Sequence, residues 1–446
     1  MLAAIVLAAA FPAANPLGFP SYEQEIVATF ASAAEAAGAT CKIAPLPDDA
    51  KLALACRWDD CNKRHLSKGE MMARAGVTGT FYLNAEADGF VTGGARDLME
   101  KGFSLGNHSF SHPKLWTLGA DAMFREVASG RVRLERLLGR TVISYAAPYG
   151  WKEQGVGRQL PAFVVASGHF LSGDMSGQIA WSGLDARTFM PTRRFGADDR
   201  NPDRGQFVAG FEKETSAARN DPLEPRVFFG IHSWCDAAGE ARQETWLREF
   251  FHPDDAVQLN DWQYGAYRYQ HFHGGVAKSG VTGAAATFRV TRYEPAFVGD
   301  GIALSLVFSS EPKAVKLNGK PLERGLRGTW KLPQDPARSR PLRIADAVDG
   351  ITVEVTPDES AGKLRVRVAN GGTESLERLF MAAALPPRWT VRRVTAEGGA
   401  LSAGQAFERT FDLGGMADPK LADGEAYYPV SVDFIRAGTP HRLWKD

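Results

Sequence analysis

Between residues 51 and 251, short apolar, strand-like segments alternate with stretches of helical apolar spacing, and this alternation constrains the fold more than any other feature of the chain. Segments 51–57, 77–84, 102–106, 141–147, 162–166 and 226–231 read as strands, and 63–75, 121–138, 204–218 and 240–251 read as helices. Strands separated by helices pair in parallel, so the expectation is an α/β wound sheet or barrel. In barrels of this kind chemistry gathers at the carboxyl ends of the strands. Four of those ends carry polar or turn-forming residues here. The first runs into Arg57-Trp58-Asp59-Asp60, the third into Asn107-His108-Ser109-Phe110-Ser111-His112-Pro113, the fourth into Pro148-Tyr149-Gly150 and the last into His232-Ser233-Trp234.

Carboxylate oxygen and imidazole nitrogen together are a ligand set for a divalent metal such as zinc. A catalytic metal takes three protein ligands and keeps a position open for water and substrate. One aspartate of the adjacent pair and the two histidines fill that number, which leaves the other aspartate over as a base. Taken singly, each motif has a plainer explanation. An Asp-Asp pair is most often a solvated loop or a helix cap, and His-x-x-x-His recurs by chance on helix faces. Their joint placement at strand ends favours the metal.

In this order the four pieces resemble the polysaccharide deacetylase family, the NodB-homology carbohydrate esterases. That family carries Thr-Phe-Asp-Asp, His-(Ser/Thr)-x-x-His-Pro, Arg-x-Pro-Tyr-Gly-like, Asp-Trp and Leu-x-Ile-His motifs. Here Cys56–Asp60 corresponds to the first, His108–Pro113 matches the second in full, Pro148-Tyr149-Gly150 keeps part of the third, and Phe229-Gly230-Ile231-His232 keeps the last. The resemblance covers roughly 52–234 and implies a distorted (β/α) barrel, removal of acetyl groups from sugars, and a divalent cofactor. Zinc is the first choice for that cofactor, with cobalt or another divalent ion as the alternative. Carried onto the matching positions, it implies Asp60, His108 and His112 as metal ligands and Asp59 as general base. It also implies the Tyr149 backbone N–H as oxyanion donor and His232 as general acid.

Two departures stand out. Ala146 occupies the place of the third-motif arginine, and no segment has the spacing of the Asp-Trp motif, although Gly173-Asp174-Met175 and Trp181-Ser182-Gly183 lie in the right region. Asp59 then needs another cation to keep it ionised. Arg57 and the Arg193-Arg194 pair are the candidates, and the pair is preferred because it falls where the family places its fourth motif. The favoured function is N-deacetylation of a glycan containing amino sugars. The alternatives are an O-acetyl polysaccharide esterase and a barrel that binds glycans without turnover. The expected partner is an acetylated carbohydrate.

The chain has 446 residues, too many for one core, with 52 basic and 52 acidic side chains and a formal net charge of zero. That balance gives no sign of a nucleic-acid partner. The basic run Arg131, Arg133, Arg136, Arg140, accompanied by Glu126 and Glu135, reads as a solvated helix face. Segment 2–11 is apolar but too short to span a bilayer. With Pro12-Ala13-Ala14 behind it, it suits the core of a secretory signal over 1–14, so export to the periplasm, cell surface or medium is expected, without a membrane span. Its lack of an N-terminal Lys or Arg leaves a mistaken start site or a buried segment as alternatives. Cys41, Cys56, Cys61 and Cys235 form no disulfide scaffold; a single bridge, thiolate ligation and buried free thiols all remain open. A helix is expected over 21–37 and another, rich in aromatic residues, over 253–273. The deacetylase barrel is assigned to 15–275. From 285 to 446, short strand-like segments punctuated by Asn318-Gly319, Asn370-Gly371-Gly372 and Gly398-Gly399 predict a β-sandwich accessory domain, or two small ones.

Overall fold

A computed structural model describes residues 17–153, 155–173, 184–196 and 203–446. The 1–14 segment, Asp174-Met175 and Trp181-Ser182-Gly183 lie outside the described residues. The chain divides into two compact units, each assembled from separate stretches of sequence.

The unit made of Ala50–Ala266, Pro295–Ile302 and Gln334–Asp446 contains the parallel sheet. Its strands lie in the order Leu171–Ser172, Ser144–Tyr145, Ser104–Asn107, Gly79–Leu83, Leu52–Trp58, Arg226–Phe229 and Arg193–Phe195, and Ala256–Gln258 pairs with the first half of Leu52–Trp58. All these pairings are parallel. A parallel bridge between Leu171 and Met190 brings the approach to the Arg193–Phe195 strand back beside the opposite edge, so the sheet curls into a distorted barrel. Leu52–Trp58 is buried along its whole length, as a central parallel strand covered on both faces must be. Helices Arg64–Ala75, Ala120–Leu138, Arg204–Arg219 and Ala237–Phe250 supply the covering layer. Asp203 and Asp236 cap two of them by accepting the backbone N–H groups of Gln206 and Gly239.

Two readings of this region need correction. Segment 162–166 belongs to the helix Leu160–Ala166, with Pro161 in its first turn and Phe163 and Val164 buried; five apolar residues in a row do not distinguish a strand from a buried helix. The basic run is not wholly a solvated face either. Arg131 and Glu135 are buried and paired at 2.9 Å, and Glu135 also accepts from Arg442 at 3.0 Å and from the Trp444 indole at 2.8 Å.

The C-terminal part of the same unit is a sandwich. A five-stranded sheet, ordered Arg343–Ala345, Thr439–Lys445, Val430–Arg436, Leu376–Ala384, Arg393–Leu401, faces the three strands Ile351–Asp358, Lys363–Asn370 and Ala406–Asp412. Leu364, Val366 and Val368 from one sheet share a core with Met381, Val432 and Phe434 from the other.

The other unit holds antiparallel strands. Ser21–Thr29 lies between Ala285–Tyr293 and Ala314–Leu317, where a helix was expected over 21–37. Its side chains alternate strictly between exposed and buried, with Tyr22, Gln24, Ile26 and Ala28 inward; that two-residue period outweighs the helix-forming alanines and glutamates. The helical remainder is Ala33–Gly38, capped by Ser32. Asn318 and Gly319, both at positive φ, turn the chain between Ala314–Leu317 and Lys320–Pro321 as the sequence predicts. The aromatic helix Asp261–His273 begins in the parallel-sheet unit and belongs to this one from Tyr267 onward; Trp262, Tyr264, Tyr267 and Tyr269 are all buried.

Candidate metal centre

The carboxyl end of Leu52–Trp58 delivers Asp59 and Asp60, and that of Ser104–Asn107 delivers His108. Asp60 Oδ1 lies 3.3 Å from His108 Nε2 and 2.9 Å from His112 Nε2. One ligand atom from each of the three residues falls within 4.8 Å of the others, and they are the group of this kind found among the described residues. His108 Nδ1 is 2.8 Å from the Ala146 carbonyl, which accepts its proton and leaves the Nε2 lone pair facing Asp60. Burial opposes a proton on His108, but Asp59 and Asp60 outweigh it and raise its pKa above the ordinary value. The field that favours a proton there favours any cation held among the three groups. For Asp60, too, burial works toward a higher pKa, and the two imidazoles more than reverse it. The donor set therefore fits a divalent ion.

The backbone around these ligands is strained. Asp60 (φ 70°), Ser109 (φ 70°), His112 (φ 64°) and Tyr149 (φ 59°) occupy the left-handed region that non-glycine residues avoid. Such conformations cost about 1–3 kcal/mol each and persist where the surroundings enforce them. The enforcing contacts are visible. Ser109 Oγ accepts the His112 N–H at 3.0 Å, and Glu126 accepts the N–H groups of Phe110 and Ser111 at 3.0 and 2.9 Å. Gly130 lets the Ala120–Leu138 helix press against this loop: a Cβ there would lie 2.7 Å from Asn107 Oδ1.

Asp59 is buried and held by a fork. Arg57 Nε donates to Oδ1 at 2.7 Å, Nη2 donates to Oδ2, and Nη1 donates to the Gly173 carbonyl at 2.8 Å. Burial alone would raise the Asp59 pKa; Arg57 overcomes that and holds it below the ordinary carboxylate value. The cation that replaces the third-motif arginine is therefore Arg57. Of the preferred pair, Arg193 is turned to other acids, joined to Asp221 and Glu224 at 2.8 and 3.1 Å. Two residues along a strand return to the same face, so Arg57 reaches Asp59 with no contribution from elsewhere.

The Asp59 backbone N–H donates to the Ile231 carbonyl at 2.7 Å, which ties the acidic pair to the strand end carrying His232. Gly230, at φ 95°, makes this approach possible, since a Cβ there would lie 2.8 Å from the Arg57 carbonyl oxygen and from the Trp58 ring. His232 stacks on Trp234 with ring centres 3.7 Å apart, and its buried Nδ1 has no hydrogen-bond partner among the described residues. Burial lowers the His232 pKa against the pull of Asp59 and Asp60. The Tyr149 ring packs 4.9 Å from that of His112.

One supporting residue escaped sequence reasoning. His65 is fully buried; Nε2 donates to the Asp60 carbonyl and Nδ1 accepts from Ser233 Oγ at 2.7 Å. Burial pushes its pKa down to about 4, so it is neutral, as that arrangement requires. Its position five residues past Asp60, the second residue of the helix Arg64–Ala75, was the available signal. The four cysteines are free thiols, and the Cys235 sulfur lies 2.7 Å from the buried Lys68 ammonium.

Residues 50–160 match the family model for polysaccharide deacetylase. Among solved structures the chain is similar to a family 4 carbohydrate esterase from Streptomyces lividans, with 15% identity over 47% of this chain and 92% of that one and a TM-score of 0.33. It is also similar to the peptidoglycan deacetylase PdaC from Bacillus subtilis, with 14% identity, 50% and 95% coverage and a TM-score of 0.32. A family 4 acetyl xylan esterase from Clostridium thermocellum gives 12% identity, 47% and 87% coverage and a TM-score of 0.30. No curated protein matches the chain. Over residues 50–160, the stretch that carries Asp59, Asp60, His108, His112 and Tyr149, the chain belongs to the polysaccharide deacetylase family.

Proposed function

We propose that this protein is a metal-dependent hydrolase that removes acetyl groups from sugars, acting on the N-acetyl group of an amino-sugar glycan. The observation that carries the reading is a buried, ionised Asp59 clamped beside the converging Asp60, His108 and His112. Those three residues would hold a divalent ion, zinc or cobalt among the candidates, which when bound polarises the acetyl carbonyl and acidifies water. Asp59 takes the proton of the attacking water, since it is the carboxylate of the pair that holds no ligand position. The Tyr149 backbone N–H donates to the oxyanion as the carbonyl carbon becomes tetrahedral. His232 gives its proton to the departing amine, and acetate and the free amino sugar result. The apolar 2–11 segment supports a place for this activity outside the cytoplasm.

An O-acetyl esterase is the second reading, favoured by one feature. His232 Nδ1 has no orienting partner among the described residues, and an ester's leaving group leans less on an acid than an amine does. Asp59→Asn is the test of the mechanism. The variant should keep its metal while acetate release falls about a hundredfold or more; near-full activity would place the base elsewhere.

A further inference from the structure

Beside the candidate metal centre lies a rim of two aromatic rings and two ammonium groups that the hydrolytic reading leaves unused. Tyr149 is 56% exposed, and its ring is the outer neighbour of the ligand His112. Trp116, partly exposed, meets Tyr149 nearly at right angles, with centroids 6.4 Å apart. Lys114 Nζ sits 5.7 Å from the Tyr149 ring centre and Lys152 Nζ 5.2 Å from that of Trp116. Both lysines are exposed, they come from different loops, and among the described residues neither ammonium has a carboxylate partner. The acids nearby in sequence are engaged: Glu153 with Arg158 at 3.4 Å, Glu126 with the Phe110 and Ser111 backbone, Asp121 with Arg388 at 2.7 Å.

The lysines are placed rather than adrift. Lys114 follows the ligand His112 by two residues, through Pro113. The turn Gly155–Gln159 lies so close to Lys152 that a Cβ on Gly157 would be 2.5 Å from the Lys152 carbonyl oxygen and 3.6 Å from Trp116 Cβ. An ammonium resting on an exposed ring is held weakly, so both are easily drawn to a better anion. A neutral glycan gains from the rings alone, whereas a glycan with a carboxylate engages rings and cations together. The chain as a whole carries no net charge, so the positive rim is local to this side of the centre.

We propose that Tyr149, Trp116, Lys114 and Lys152 form a subsite for a carboxylate-bearing sugar next to the acetylated one, so that the substrate is an acidic acetylated glycan. The proposal rests on the deacetylase reading and narrows its substrate class. Such a carboxylate has two chemical sources, a ring uronate and an acidic ether substituent on an amino sugar.

The test uses full-length, metal-loaded protein with three acetylated oligosaccharides of matched length: neutral, uronate-containing and acidic-ether-containing. Wild-type protein should prefer at least one acidic oligomer through a lower KM, and raised salt should erase the preference. In the double variant Lys114→Gln/Lys152→Gln the ratio of kcat/KM for acidic over neutral substrate should fall about tenfold, carried by KM and not kcat. No acidic preference in the wild type, or an equal loss on both substrates, would overturn the subsite. If no oligomer is hydrolysed, the deacetylase reading fails by itself, and calorimetric titration of the same oligomers still decides the subsite. Tighter acidic binding lost in the double variant supports it, and equal binding of all three overturns it.

Discussion

Replacing Arg57 should be the most revealing single change in this protein. Arg57 and Asp59 are both buried, and the guanidinium makes two parallel contacts to the carboxylate and a third to the Gly173 carbonyl. Arg57→Gln removes the charge and leaves a carboxylate that water cannot reach freely. Breaking a buried pair from one side costs about 3–5 kcal/mol. Protonating Asp59 is the cheapest escape, and at about 1.4 kcal/mol per pH unit a cost near 3 kcal/mol raises its pKa by about two units. The direction follows from the present state: Arg57 holds the Asp59 pKa down, so its removal moves the loss of the base to higher pH. The assay is kcat/KM for acetate release between about pH 4 and 9, together with metal content and the thermal midpoint. The acid limb should shift upward by about two units in Arg57→Gln and less in Arg57→Lys, which keeps the charge but loses the fork. Metal content should be retained. An unmoved acid limb and an unchanged midpoint in Arg57→Gln would refute the claim that this arginine tunes the base.

His65→Ala should weaken metal binding about 10–100-fold, because the Asp60 carbonyl and Ser233 lose their shared partner; competition titration against a chelator measures it, and unchanged affinity would reduce His65 to a core residue. Glu135, held at about 2 against an ordinary 4.5 by Arg131 and Arg442 in spite of burial, should add about 3 kcal/mol of stability at neutral pH. Because the folded value is the lower one, that contribution is complete above about pH 4.5 and drains away as pH falls through about 2. Glu135→Gln should be less stable near neutrality and should lose less on acidification, as thermal midpoints against pH will show; parallel curves for the two proteins would contradict it.

The site was more legible in the sequence than its supports. The convergence of Asp60, His108 and His112 was legible because a parallel strand fixes where its end points, and a run of buried apolar residues marks that end. Arg57 was within reach by the same two-residue periodicity, yet the position of the family's fourth motif drew attention to Arg193 and Arg194 instead. For His65 the local signal, its closeness to Asp60, was too weak alone, because its role depends on Ser233, 168 residues later. The Ser21–Thr29 strand was missed for a related reason: its partners, Ala285–Tyr293 and Ala314–Leu317, lie far along the chain, while local composition favours helix. The short strands Leu171–Ser172, Arg193–Phe195 and Ala256–Gln258 offer two or three residues each, too few for any periodicity to register.

The most direct test of the central claim is acetate release from a panel of acetylated glycans by metal-reconstituted protein, measured before and after a chelator. The account predicts release from at least one amino-sugar glycan, its abolition by the chelator, and its return when a divalent ion is restored. No acetate from any glycan in fully metal-loaded protein, or release that survives complete removal of the metal, would contradict it.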